Sequence, residues 1–244
     1  LTTPFSLVDV SGEHTGDVID TSNTSTYDTD VDIETLTVTA VRLGSSEGSG
    51  TAGTVGSALT GTYGQLTLNS NGSYTYVANQ TAADNLDAGD VVTDSFNYTV
   101  SDGTATDIAV ITITVIGIND APTAQDDEGV IVEGSTLTVA NSANANVSGS
   151  YDATGEHSGD VIDTSSSSHT DSDADASASL SITHIKLSGG SNSTVASSSS
   201  YNSNGTQIVG TYGTLTIGAD GSYTYAATTA CLLYTSDAAD DRVS

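Results

Sequence analysis

Carboxylates occupy alternate positions in Asp28-Thr29-Asp30-Val31-Asp32, and the pattern returns as Asp171-Ser172-Asp173-Ala174-Asp175. In an extended strand such side chains point the same way and repel one another unless a hard divalent cation sits among them, and an all-oxygen set suits Ca2+. The spacing opens like an EF-hand loop but does not continue as one: the sixth position is Ile33 or Ala176 rather than Gly, and the twelfth is Thr39 or Ile182 rather than Glu. A solvated acidic turn is the competing reading. A second acidic constellation, Asn119-Asp120-Ala121-Pro122 followed by Gln125-Asp126-Asp127-Glu128 and Glu133, surrounds a proline that stiffens extended chain and marks a junction. Catalysis finds less support. Paired carboxylates of the glycosidase kind need a cleft with aromatic platforms, and the chain has no Trp. Gly44-Ser45-Ser46-Glu47-Gly48 fits Gly-x-Ser-x-Gly, but no helical period follows it, so it does not read as the strand-to-helix elbow of a nucleophile. His14 and His157, each between Glu and Thr/Ser-Gly-Asp, bring too few ligands for Zn2+ and are expected in surface loops. The chain is not expected to be an enzyme.

Composition sets the partners. Of 244 residues, 31 are Asp or Glu and 3 are Lys or Arg, a formal charge of −28. Phosphate contacts need cations that this chain lacks, which argues against nucleic acid and anionic membranes. The longest apolar stretch, Ile108 to Ile118, is interrupted by Thr112, Thr114 and Gly117 and is too short to span a bilayer. With a single Cys no intrachain disulfide can form, so something other than cross-links or ion pairs must offset the repulsion among the acids.

The elements that position these acids are strands. Gly12-Glu13-His14-Thr15-Gly16-Asp17-Val18-Ile19-Asp20 returns as Gly155-Glu156-His157-Ser158-Gly159-Asp160-Val161-Ile162-Asp163, and Gly61-Thr62-Tyr63-Gly64 as Gly210-Thr211-Tyr212-Gly213. A period this long is a whole domain per repeat. Leu36, Val38 and Ala40 are expected on one face with Thr35, Thr37 and Thr39 on the other. Phe96, Tyr98 and Val100 alternate in the same way with Ser95, Asn97 and Thr99. Gln65–Leu68 and Ser73–Val77 read as a hairpin across Asn69 to Gly72. With Val130–Val132, Leu137–Val139 and Ile108–Ile116 the count reaches the seven strands of an immunoglobulin-like sandwich. The expected fold class is all-β, with tandem β-sandwich repeats both truncated. The first repeat, 1–118, lacks its opening strand; 119–125 is an interdomain linker; the second repeat, 126–230, lacks its closing strands. Ser188 to Asn204 reads as a loop. Cys231–Ser244 resembles the translation of a sequencing-library adapter and is set aside as a non-native tail.

Tyr98-Thr99-Val100-Ser101-Asp102-Gly103-Thr104, then Asn119-Asp120-Ala121-Pro122, Asp126-Asp127 and a later Asp-x-Asp-x-Asp, resemble the VCBS and cadherin-like repeats of large bacterial surface or secreted adhesins of the RTX and biofilm-associated type. The Gly72-Ser73-Tyr74-Thr75-Tyr76 hairpin adds to the likeness. The resemblance implies a Ca2+ site at the interdomain junction, with ligands from Asp102, Asn119, Asp120, Glu133, Asp171 and Asp173, and a half-site of Asp28 and Asp30 facing a preceding domain. Gly117 and Ala121 stand where cadherins carry liganding Asp and Asn, so fewer side chains are on offer. The implied role is a spacer at the cell surface or outside it, stiffened by Ca2+ and partnered by neighbouring repeats, in cell adhesion or biofilm formation. The alternatives are a module that binds glycans or surface proteins, with Tyr63, Tyr74, Tyr76 and Tyr98 as the binding face, or an accessory region of a secreted hydrolase.

Overall fold

Thr and Val in alternation, punctuated by Gly, Asn and Asp, build antiparallel strands among the described residues. The computed structural model describes residues 13–19, 28, 30–32, 34–143, 156–162 and 169–228. The Cys231–Ser244 tail lies outside them. The chain divides into two compact units, Leu1–Asp120 with Ala174–Ala178, and Ala121–Asp173 with Ser179–Ser244.

The first unit contains β1 (Glu13–Asp17), β2 (Thr37–Leu43), β3 (Ala58–Thr60), β4 (Gln65–Leu68), β5 (Ser73–Val77), a single helical turn α1 (Thr81–Asp84), β6 (Val91–Ser101) and β7 (Thr106–Ile116). Strands order as β1-β5-β4-β3 in one sheet and β2-β6-β7 in the other. Between them lies an apolar core that includes Val38, Val41, Leu59, Leu66, Leu68, Tyr76, Phe96, Ile113 and Val115. Burying such side chains stabilises a sandwich by roughly 1.5–3 kcal/mol each.

Two sequence expectations need correction here. Glu13–Asp17, read as a surface loop, is a strand paired with β5. In β2 the inward set is Val38 and Val41 rather than Val38 and Ala40, because the pairing with β6 slips by one residue between Val38 and Ala40. The bulge reverses the parity of everything after it. The alternation in β6 holds for Phe96, Tyr98 and Val100, while Asn97, on the other face, is also buried. Its amide donates to the carbonyls of Gly44 and Ser49 and accepts the Gly48 N–H, which ties down the loop after β2.

Asp94 shares the inward parity of β6 and is buried. Its carboxylate accepts the N–H groups of Thr62 (2.9 Å), Tyr63 (3.0 Å) and Gly64 (3.2 Å) and the Tyr76 hydroxyl (2.7 Å). Burial and the adjacent carboxylate push the Tyr76 phenol well above its ordinary pKa, so it stays a donor. Gly64 is required at this turn because a Cβ there would meet the Tyr76 ring at 2.5 Å; Gly213 stands in the same relation to Tyr225 at 2.6 Å.

The second unit contains β8 (Gly129–Val130), β9 (Thr136–Val139), β10 (Glu156–His157), β11 (His184–Ile185), β12 (Ser193–Thr194), β13 (Thr206–Val209), β14 (Gly213–Ile217) and β15 (Tyr223–Ala227). A sheet ordered β13-β14-β15-β9 is accompanied by the short pairs β10-β8 and β11-β12. Its core holds Leu137, Val139, Val195, Ile217, Ala219 and Tyr223. The stretch Ser188 to Asn204, expected as loop, is loop apart from β12 and a bridge between Ser200 and Ser203.

Removing the Asp94 carboxylate strands three N–H groups and a phenol. Asp94→Ala is expected to destabilise the first unit by about 3–5 kcal/mol and Tyr76→Phe by about 1.5–3 kcal/mol, read from urea unfolding. Equal, sub-kcal effects would show that the clamp contributes nothing.

Candidate metal centre

Asp102 sits in the turn that joins β6 to β7. Its Oδ1 accepts the N–H groups of Thr104 and Ala105, both at 2.6 Å. Ser101 braces the same turn: its Oγ donates to the Ala105 carbonyl at 2.9 Å and accepts the Gly103 N–H at 3.0 Å. The Ala105 N–H, then that of Thr104, hold the Asp102 carboxyl below the usual carboxylate pKa, so it is an anion down to low pH. Thr37, the first residue of β2, pairs with Ser101, and this register brings the chain preceding β2 alongside the turn.

That chain carries Asp30 and Glu34. Carboxylate oxygens of Asp30, Glu34 and Asp102 all lie within 4.8 Å of one another. Asp30 is oriented by a local turn in which its Oδ1 accepts the Asp32 N–H at 2.7 Å. Ca2+ holds oxygens at about 2.3–2.6 Å, so two ligands of one ion lie at most about 5 Å apart, and the three side chains fit that limit. They would supply three of the roughly six to eight oxygens Ca2+ takes, leaving the others to backbone or water.

The structure distributes the sequence-derived ligands differently from the resemblance. Asp102 joins Asp30, and Glu34, which the sequence reading passed over, completes the group. An acid two residues beyond an Asp-x-Asp run, three residues before a strand whose start abuts a hairpin turn, is the signal that points to it. Asp28 turns aside to accept the Tyr98 hydroxyl at 3.1 Å. Burial raises its pKa, opposed by that hydrogen bond and reinforced by Asp107. At the linker, Asn119 donates its amide to the Asp120 carbonyl, and the Asp120 N–H donates to Asp175 Oδ2 at 3.1 Å. Asp175 belongs to the Ala174–Ala178 segment of the first unit, where Ser177 N–H also meets Asp87 Oδ1 at 3.0 Å.

In the second unit Glu133 is exposed, Asp173 is half-buried and Asp171 is buried, with Asp171 Oδ1 accepting the Gln125 N–H at 2.8 Å. Asp171 belongs to an acidic neighbourhood with Asp127 and the buried Asp160, whose Oδ2 accepts the Ser142 N–H. Ser158 donates its hydroxyl to Asp127 at 3.0 Å. Burial, then the charges of Asp171 and Asp160, raise the Asp127 pKa, against the lowering effects of Ser158 and His169.

Fold and site together define an all-β module that pairs two sheets around an apolar core and gathers carboxylates beside a hairpin turn at the end of the first unit. Residues 4–117 match the family model described as the bacterial cadherin-like domain. No curated protein matches the chain. No helix among the described residues is long and apolar enough to cross a membrane.

The raised Asp127 pKa fixes a sign for pH dependence. Between about pH 3.8 and the raised value the folded state keeps a proton that the unfolded state has lost, so stability falls as pH rises through that window and stays lower above it. Asp127→Asn is therefore expected to raise Tm at neutral pH in chelator and to lose this advantage below pH 3.8, measured by calorimetric melts at both pH values.

Proposed function

We propose that this chain is a spacer of a large secreted or cell-surface adhesin, whose repeats are stiffened by Ca2+ in support of cell adhesion or biofilm formation. The observation that carries this reading is the Asp30, Glu34 and Asp102 cluster beside a turn that holds Asp102 ionised. Extracellular modules bind Ca2+ at about 10⁻⁴–10⁻³ M, which is filled outside a cell and empty within one, so the module would stiffen on export. Asn119, Asp120, Glu133, Asp171 and Asp173 stand in the proposal as ligands of a junction ion on the strength of the family resemblance. A spacer also accounts for the tyrosines. Tyr76 and Tyr98 are buried, and Tyr63 and Tyr74 are half-buried against the core, which favours packing over sugar stacking for that set. A module of this kind needs no catalytic group.

Calorimetric titration with CaCl2 tests the reading. At about 10 mM Ca2+ a site of this affinity is expected to add about 1.4–2.7 kcal/mol to the stability of the first unit, and Asp102→Ala to abolish the gain. In an array of intact repeats, small-angle scattering is expected to report a longer, stiffer particle with Ca2+ than with chelator. Absence of both heat and a melting shift would refute the calcium reading.

A further inference from the structure

The second unit rebuilds most of the frame that holds β6 in the first, yet among its described residues no strand stands in the place of β6. Residues 181–187, Ser-Ile-Thr-His-Ile-Lys-Leu, are the counterpart of β2, Thr-Val-Thr-Ala-Val-Arg-Leu. Their tethers agree. The Val38 N–H donates to the Ser70 carbonyl in the first hairpin turn, and the Ile182 N–H to the Ala219 carbonyl in the second, both at 2.9 Å. On one side of β2 the Val41 carbonyl accepts the Gly53 N–H, and on the same side of 181–187 the Thr183 carbonyl accepts the Val195 N–H, again both at 2.9 Å. The opposite edge of β2 is taken by β6. The opposite edge of 181–187 carries no strand among the described residues.

The turn that β6 clamps is rebuilt as well. The Gly61 N–H donates to the Gly64 carbonyl at 2.7 Å, and the Gly210 N–H to the Gly213 carbonyl at 2.8 Å. Gly213 lies on the Tyr225 ring as Gly64 lies on that of Tyr76. In the first unit β6 closes this face with Asp94, which accepts the Tyr76 hydroxyl, and with Phe96, whose ring meets that of Tyr76 edge-on at 6.4 Å. Leu66 and Tyr76 are 0% exposed there. Their counterparts Leu215 and Tyr225 are half-buried, and Leu187 and Tyr212 beside them in sequence order are exposed.

We infer that this face of the second unit is a docking site for a free extended segment with the Asp-x-Phe-x-Tyr-x-Val pattern of Asp94–Val100, which adds to the open edge of 181–187 by main-chain pairing. Its carboxylate meets the N–H groups of the 211–213 turn and the Tyr225 hydroxyl, and its Phe covers Leu215 and Tyr225. The occupant follows from the interface already formed in the first unit, where the same turn and the same phenol receive that strand. Charge agrees, because the anion is received by N–H and O–H donors and Lys186 stands on the receiving edge in the place of Arg42. The β6 of a folded copy is not the occupant, since it would forfeit the contacts that its own Asp94 and Phe96 make. No metal takes part.

A labelled peptide of residues 89–103, Gly-Asp-Val-Val-Thr-Asp-Ser-Phe-Asn-Tyr-Thr-Val-Ser-Asp-Gly, is titrated into the full chain in chelator, so that the outcome is independent of the calcium reading. Saturable binding is expected, with hydrogen exchange slowed at 181–187 and unchanged at Val91–Ser101. A peptide carrying Phe96→Asp is expected to bind at least about tenfold more weakly. A peptide carrying Asp94→Ala is expected to lose about tenfold. In the chain, Tyr225→Phe is expected to weaken the natural peptide about tenfold and to leave the Asp94→Ala peptide unaffected, because the missing hydrogen bond joins those two groups. No saturable binding of the natural peptide overturns the proposal. So does equal binding of the Phe96→Asp peptide, an equal loss for both peptides on Tyr225→Phe, or exchange accelerated at Val91–Ser101, which would mean that the peptide replaces β6 in the first unit.

Discussion

The structure is organised around what becomes of its carboxylates. A chain with 31 acidic and 3 basic side chains cannot neutralise itself through ion pairs, so each crowded carboxylate must be met by N–H groups, by hydroxyls or by a cation from outside. The first unit displays the first two, and its surface cluster is where the proposal assigns the third. Asp94 is buried against three backbone N–H groups and a phenol. Asp28 is met by the Tyr98 hydroxyl. Asp30, Glu34 and Asp102 come within 4.8 Å of one another at a surface where water screens them and a cation would fit. The first two arrangements tie carboxylates into the sandwich; the third is the cluster to which the proposal assigns Ca2+.

Repetition of sequence does not impose repetition of environment. The Gly-Thr-Tyr-Gly turn is clamped by Asp94 in the first unit, where Tyr63 packs against the core. Among the described residues of the second unit none corresponds to β6, and Tyr212, the counterpart of Tyr63, is 78% exposed. The Gly-Glu-His segment diverges in the same way, pairing with β5 in one unit and with β8 in the other. Local sequence supplies a strand with a free edge, and which partner takes that edge depends on the strands available to it.

Much of the fold was legible because strands announce themselves by parity. The β4–β5 hairpin, the inward Phe96, Tyr98 and Val100, and the all-β class follow from alternation and turn residues. The bulge in β2 was not legible: Thr-Val-Thr-Ala-Val reads as continuous alternation, and only the pairing with β6 decides where a residue is extruded. Glu13–Asp17 was misread because a segment of Glu, His, Gly and Asp lacks the apolar period of a strand and becomes one through the edge it covers. At the candidate site the acid types and the hairpin turn were visible in the sequence, yet Asp102 had to be matched with Asp30 and Glu34 by the register of β2 on β6, which no spacing along the chain encodes.

The most direct measurement is amide chemical-shift mapping of the full chain by NMR during a Ca2+ titration at constant ionic strength. The N–H groups of Thr104 and Ala105, bound to Asp102, and of Asp32, bound to Asp30, should move saturably with Ca2+, while those of Thr62, Tyr63 and Gly64 on Asp94 stay fixed. Shifts that NaCl reproduces, or that leave the Asp102 turn untouched, would contradict a cation-dependent cluster at this end of the module.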